Sequence, residues 1–298
     1  MKESEVKEST GMTFLVKTQL SIEKLRVAVQ VRNTHLAKLN RRDSTTCELE
    51  TELQNLEKFI DGRVGEFVDL HPAQPWFSRI KGIGRENIAK VIGLIDIDKV
   101  TYVSSLWKWA GMHVVDGKSP QRKGGQKIDY NSQLRSMCWR LIRAFCLAQN
   151  KYYDWYLKEK EKYQRKFLEK GYKIVSSSEL PTDEKGKKFE PENIISEGHL
   201  DNMAKRKMIK MFLEHLFRVW REALSLPATK PYVLEYGGHH RYYNPWDFVD
   251  KPPKKKKASH EERENHQEGA SHVIQENRKR EASQNSKVAP SRKASHCS

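Results

Sequence analysis

Apolar residues between 18 and 70 recur at heptad spacing, and that recurrence commits the N-terminal quarter of the chain to long helix. Ile22, Leu25, Val29, Leu36 and Leu39 carry one series, and Leu49, Leu53, Leu56, Ile60, Phe67 and Leu70 carry another. The two fall out of register across Asn40–Thr46. There Thr45 and Glu48 have the spacing of a capping box, which predicts a second helix start. An antiparallel hairpin and a kinked rod both satisfy this pattern. The arm over 18–71 reads as a spacer or dimerisation element. Residues 1–17, opening MKESEVKEST, are expected to be disordered and lack the apolar stretch of a secretory signal.

His71-Pro72 ends the arm, and the stretch from Pro75 to Ala148 is the densest in Ile, Val, Trp and Gly. Its pattern predicts helices over 75–80, 85–95 and 102–110, a loop over 112–131, and a helix opening at Ser132. Leu134, Cys138, Leu141, Ile142 and Phe145 line one face of that last helix. Its pattern continues through Tyr152, Tyr153, Tyr156 and Tyr163 toward Lys170, closing a domain over 72–170. Residues 171–198 are polar, hold Gly and Pro, and read as a loop insertion. A strong helix over 199–224, with Met203, Met208, Phe212, Leu216, Val219 and Trp220 inward, opens a helical and aromatic part ending at 250. From 251 to 298 the chain turns to PPKKKK and recurring Ala-Ser-His, a low-complexity basic tail expected to be disordered. PPKKKK fits a nuclear import signal in a eukaryote, a nucleic-acid tether, or a solvating tail. The expected fold is therefore mainly α: a helical coiled-coil arm, a compact helix-hairpin-helix domain and a disordered tail.

Charge narrows the partners. The net charge is +16; the tail holds 12 Lys/Arg against 6 Asp/Glu, so +10 remains for residues 1–250. A field of that sign attracts polyanions, and nucleic acid is the commonest of them. Cys47, Cys138, Cys146 and Cys297 are scattered without a CxxC pair, which argues against a zinc site or a disulfide framework and suits a reducing cytosol. Nothing approaches the run of about 18 apolar residues that a membrane span needs, so no membrane partner is expected.

Two motifs carry candidate chemistry. The first runs from Ile80 to Ile92. Gly82 and Gly84 permit a tight hairpin with Ile83 plugged between them, and the following helix offers its free N–H groups to a phosphate. Lys81, Arg85 and Lys90 add charge where a backbone would lie, a contact that positions without reading sequence. The second runs from Trp109-Ala110-Gly111-Met112 through a loop with Lys118, Arg122, Lys123, Gly124, Gly125 and Lys127 to Asn131 and Arg135. Among nearby acids only Asp116 opposes these cations, and the glycines let the main chain approach a strand. The alternatives are a structural turn and a solvated surface loop.

Hairpin, Trp-Ala-Gly-Met, a Gly/Lys-rich loop ending in Gly-Gly, and Asn131-x-x-Leu134-Arg135 together resemble the C-terminal domain of transposases of the insertion sequence 110 family, grouped with the 116 and 902 elements. The resemblance covers about residues 73–147, and the arm at 18–70 resembles that family's coiled coil. It implies a DNA recombinase of a mobile element in a prokaryotic cytoplasm, associated with the nucleoid and guided by a structured RNA. In that family an N-terminal RNase-H-like domain holds divalent metal through an acidic tetrad, and this C-terminal domain supplies a serine nucleophile. The chain begins at the arm, so the expectation is a non-autonomous protein with no cofactor of its own, Mg2+ entering only with a partner domain. Where the family carries its serine in a Ser-Gly-Lys stretch, Asp116 precedes Gly117-Lys118; Ser119 is the nearest hydroxyl and the candidate nucleophile, with Ser132 more distant.

The remaining features are weaker. His239-His240 with Tyr242, Tyr243 and Trp246 lacks a third metal ligand at a convincing spacing, so no metal site is expected; stacking on an unpaired base is the other use of such aromatics. The run Lys205, Arg206, Lys207 and Lys210 is either a solvent face or a phosphate-contacting one. The tyrosines of 152–163, alternating with lysines, read the same way. Three functions stand: a transposase-family recombinase, a noncatalytic nucleic-acid-binding regulator or domesticated remnant, and an oligomerising factor working through the coiled-coil arm.

Overall fold

The heptad-spaced stretch folds back on itself. In the computed structural model, which describes residues 2–115, 117–122, 124–228 and 243–252 with side chains from Gly11 on, helices α1 (Lys2–Lys38) and α2 (Ser44–Leu70) form an antiparallel hairpin. Its direction is written in the cross-pairs: Gln19 with Asp61, Arg26 with Glu57, and Asn33 with Glu50 at 2.7 Å. Ile22 and Ile60 are buried, whereas Leu25, Leu39, Leu49, Leu56 and Leu70 are exposed. The expected leucine series thus splits between two faces, and polar pairs occupy much of the seam. The second helix begins earlier than its predicted Thr45 cap. Asp43 is the N-cap, its carboxylate accepting from the Thr46 amide at 3.3 Å.

Helix enters residues 1–17, the stretch read as a disordered lead, from Lys2 on. Within α1, Met12 and Val16, one turn apart, are buried in the core. Val16 lies against Gly93, where an added Cβ would come within 2.6 Å of the valine.

After His71 come a short α3 (Gln74–Phe77), α4 (Arg85–Ile92) and α5 (Val103–Trp109), all near their predicted places. The long helix expected from Ser132 to Lys170 is two. α6 (Ser132–Ala148) stops where Gln149 takes a left-handed conformation, φ 46°, and Asn150 caps α7 (Lys151–Glu169) through the Tyr153 amide. Asn150 also donates to the Lys81 carbonyl at 2.8 Å, so the break is fixed by the hairpin turn packed beside it. The 171–198 insertion holds a small parallel sheet, β1 (Lys173–Val175) on β2 (Ile194–Ser196). Glu190 joins that sheet to α8 (Glu197–Ala223) by accepting from the Ser196 amide and hydroxyl.

The core is aromatic and sits between α3, α6, α7 and α8. Trp76, Phe145, Tyr152 and Phe212 pack ring to ring, and the Tyr152 hydroxyl meets His215 Nδ1 at 2.7 Å. A 3-10 turn at Pro245–Phe248 closes it: the Trp76 indole donates to the Pro245 carbonyl at 2.9 Å. Just beyond, Asp250 accepts from the Lys81 and Lys151 amides, stitching the hairpin turn to the start of α7. Residues 1–252 form one compact unit. Among the described residues no helix is long and apolar enough to cross a membrane. His239, His240, Tyr242 and, of the tail expected over 251–298, residues 253–298 lie outside the described residues.

Candidate nucleic-acid interface

The hairpin motif folds as a turn feeding a helix, but most of its charge is spent internally. Gly82, at φ 81°, packs onto α6: a Cβ there would lie 2.7 Å from the Ala148 methyl and 2.8 Å from the Ala144 carbonyl. Ile83 packs against the core as its position between the glycines implied. Gly84 is the exposed N-cap of α4 and leaves the first-turn amides without a side-chain cap. Arg85 does not project freely. It binds the Gly65 carbonyl and the Asp69 carboxylate on α2. Lys90, expected on the DNA-facing side, is fully buried and must be reassigned. Its ammonium pairs with Glu23, at 2.9 Å, and with Glu86. A buried cation needs such partners, since its desolvation is otherwise uncompensated. Burial disfavours ionisation of Glu23, yet hydrogen bonds from Arg140 and Lys90 outweigh it and hold the carboxyl below its ordinary range. Of the three cations in this motif, Lys81 alone keeps an exposed side chain without an ion pair among the described residues.

The second motif has the opposite character. The Trp109 carbonyl accepts from the Asn131 amide at 2.8 Å, pinching the loop at its base. The Arg135 guanidinium donates to the Pro120 carbonyl at 2.7 Å and to Ser119 Oγ at 2.9 Å, and it lies 5.0 Å from the Tyr130 ring centroid. Gly111 sits beneath it at φ 65°. A Cβ would meet Arg135 Cδ and the Tyr130 ring at 2.9 Å, which is why Trp-Ala-Gly precedes a loop closed by this arginine. Farther out, Val115 and Lys118 pair across a turn at Gly117. Lys118, Arg122 and Lys127 are exposed, as are Gly124 and Gly125, and none of the three cations has an ion-pair partner among the described residues. Lys123 and Asp116 lie outside the described residues. Long cations on a glycine-bearing, anchored loop match what a phosphate backbone asks for.

Ser119, the candidate nucleophile, is half-buried, and its oxygen accepts from a cation. That interaction positions the loop. Ser132 opens α6 and is exposed.

The two motifs do not merge into one site. Gly82 meets the C-terminal end of α6 while Arg135 stands near its N-terminal end. The helix rise puts them about 20 Å apart. α8, distant in the sequence, packs instead against the two helices that flank the loop, α5 and α6. Lys205 pairs with Asp201, burial and then the charge of Arg135 lower the pKa of Arg206, and the Lys210 ammonium stands 4.1 Å over the Trp107 ring. Trp107 was not singled out in the sequence; its only signal was a second tryptophan two residues before the Trp-Ala-Gly. Among the described residues no group of three or more His, Cys, Asp or Glu is placed to hold a metal ion. Compared with protein-family models, with curated proteins and with solved structures, the chain matches none, which leaves its own geometry as the ground for a function.

Proposed function

We propose that this chain is a nucleic-acid-binding protein of transposase type, which grips phosphate backbone with its 112–131 loop in the service of DNA transposition or recombination. One observation carries the reading: Lys118, Arg122 and Lys127 project without acid partners among the described residues from a loop that Arg135 clamps at Ser119 and Pro120. A fixed loop loses less entropy on binding than a mobile one. The +16 charge supplies attraction at longer range. The resemblance to insertion sequence 110 transposases adds the biological setting: DNA as substrate, a structured guide RNA as a second polyanion, and a partner domain bringing Mg2+.

The test is binding of a labelled duplex of about 30 base pairs and a hairpin RNA at several salt concentrations, for the natural chain and for a Lys118→Ala/Arg122→Ala/Lys127→Ala variant. The variant is expected to bind both at least about tenfold more weakly, with a salt slope shallower by about 3, one for each phosphate left without its cation. Binding that is unchanged would remove the loop as the grip and favour the oligomerising reading.

A noncatalytic binder is the second reading, and the Ser119–Arg135 hydrogen bond favours it, since a guanidinium is no general base. Incubating the chain with element-end DNA and Mg2+ separates the two. A covalent protein–DNA product that Ser119→Ala abolishes makes Ser119 a nucleophile.

A further inference from the structure

Helix α8 carries cations at 205, 206, 207 and 210, and the first is neutralised by Asp201. Arg206, Lys207 and Lys210 form no ion pair among the described residues. α8 packs against both α5 and α6. Arg135 stands on α6, the helix packed beside this stretch of charge. After burial, it is the main cause that lowers the pKa of Arg206, with Tyr163 of α7 acting the other way. Lys210 is held against α5: the Trp107 indole donates to the Lys210 carbonyl at 2.9 Å while the Lys210 ammonium sits over the ring. Burial, then Lys207 and Arg206, push that ammonium down to about 8, with Glu214 alone opposing. Glu214 offers limited relief, because burial drives its own carboxyl toward the neutral form against Arg218, Lys207 and Lys210.

Cations that are partly desolvated and crowded by their own kind raise the free energy of the empty site, and an anion placed among them lowers it. We propose that Arg135, Arg206 and Lys210 form an anion site that seats one phosphate of a nucleic-acid backbone beside the Ser119 loop. The source of the phosphate rests on the nucleic-acid reading above; the site itself rests on the convergence of α5, α6 and α8. Arg135 spends one N–H on Pro120 and one on Ser119, and a guanidinium has five. Its remaining donors and the Arg206 fork suit the planar recognition of phosphate oxygens, and Lys210 contributes a point charge.

The experiment has two arms on the full chain. In the first, duplex DNA binding is measured at pH 7 and pH 9 for the natural chain and for Arg206→Ala, Lys210→Ala, Lys210→Arg and the loop variant Arg122→Ala/Lys127→Ala. Arg206→Ala and Lys210→Ala should each weaken binding about tenfold and flatten the salt slope by about 1. The natural chain should lose more affinity between pH 7 and pH 9 than Lys210→Arg, which keeps its charge. In the second arm, acetylation of Lys210 is followed by mass spectrometry with and without inorganic pyrophosphate. Protection in the natural chain and none in Arg206→Ala is expected.

If Arg206→Ala and Lys210→Ala both bind DNA as the natural chain does while the loop variant weakens, the site is refuted and the nucleic-acid reading stands. If the natural chain binds no DNA but pyrophosphate still protects Lys210, the phosphate site holds and nucleic acid as its source is refuted. No DNA binding and no protection refutes both.

Discussion

Gly111 and Arg135 are locked together: the arginine side chain crosses the glycine so closely that a Cβ would lie 2.9 Å from Arg135 Cδ. This packing joins the two ends of one motif and turns the glycine-rich, highly charged loop between them into an anchored one. Gly111→Ala must pay both for φ 65° and for the clash. Each contributes roughly 1–3 kcal/mol, so a loss of about 2–6 kcal/mol in urea denaturation is expected. A change below about 0.5 kcal/mol, the scatter of ordinary surface substitutions, would mean that the loop is not held from this side.

Lys90 is a core residue dressed as a DNA contact. Replacing it by alanine leaves Glu23 facing Arg140 alone and strands Glu86, so the protein should lose about 3–5 kcal/mol of stability. Nucleic-acid affinity, measured on the fraction that remains folded, should hold within about twofold. A selective loss of binding with normal stability would return Lys90 to the interface.

Acid should weaken the fold through two buried histidines. Burial pushes His71 down to about 4, and burial with Arg218 pushes His215 down to about 3. Their folded pKa values lie below the unfolded value of about 6.5. Unfolding therefore takes up protons: stability is full above about pH 6.5 and falls as the pH drops toward about 4. Each histidine costs about 1.4 kcal/mol per pH unit in that window. Chemical denaturation at pH 7 and pH 5 should differ by roughly 4 kcal/mol, and His71→Gln should remove about half of the difference. An identical gap in His71→Gln would show that His71 does not titrate with unfolding.

The outer leucines of the arm predict self-association. Leu25, Leu39, Leu49 and Leu56 are exposed, α1 beyond residue 23 is rich in Lys and Arg, and α2 is rich in Asp and Glu. Two arms packed with α1 against the other copy's α2 would cover the leucines and match the charges. Sedimentation of Leu49→Glu/Leu56→Glu should give a monomer where the natural chain gives a dimer, with the melting temperature nearly unchanged. A natural chain that sediments as a monomer at micromolar concentration ends the proposal.

The helices were legible because their periodicity is local. Ser132–Ala148 and Glu197–Ala223 follow from the spacing of buried residues within each segment. The break at Gln149-Asn150 was not, since Asn150 becomes a cap only with Lys81 beside it, 69 positions away. The charge of the candidate site was misjudged for the same reason. Lys90 reads as a surface cation until Glu23, from a helix expected to begin only near residue 18, is seen to neutralise it. Lys210 reads as one until α5 brings Trp107 over it. Periodicity predicts which face of a helix is apolar; which charges meet is decided by packing between helices.

Asp250 stitches the Lys81 and Lys151 amides together, and the backbone beside it bonds back to Arg79. On a ribosome this makes the last residues of the unit the ones that complete its contacts. Until residue 250 leaves the exit tunnel, the Trp76 indole lacks the Pro245 carbonyl and the hairpin turn lacks its carboxylate. With 169 positions separating such partners, the nascent chain displays helices long before it can close them, a high-contact-order ending that leaves the aromatic core open until the end of the unit has emerged.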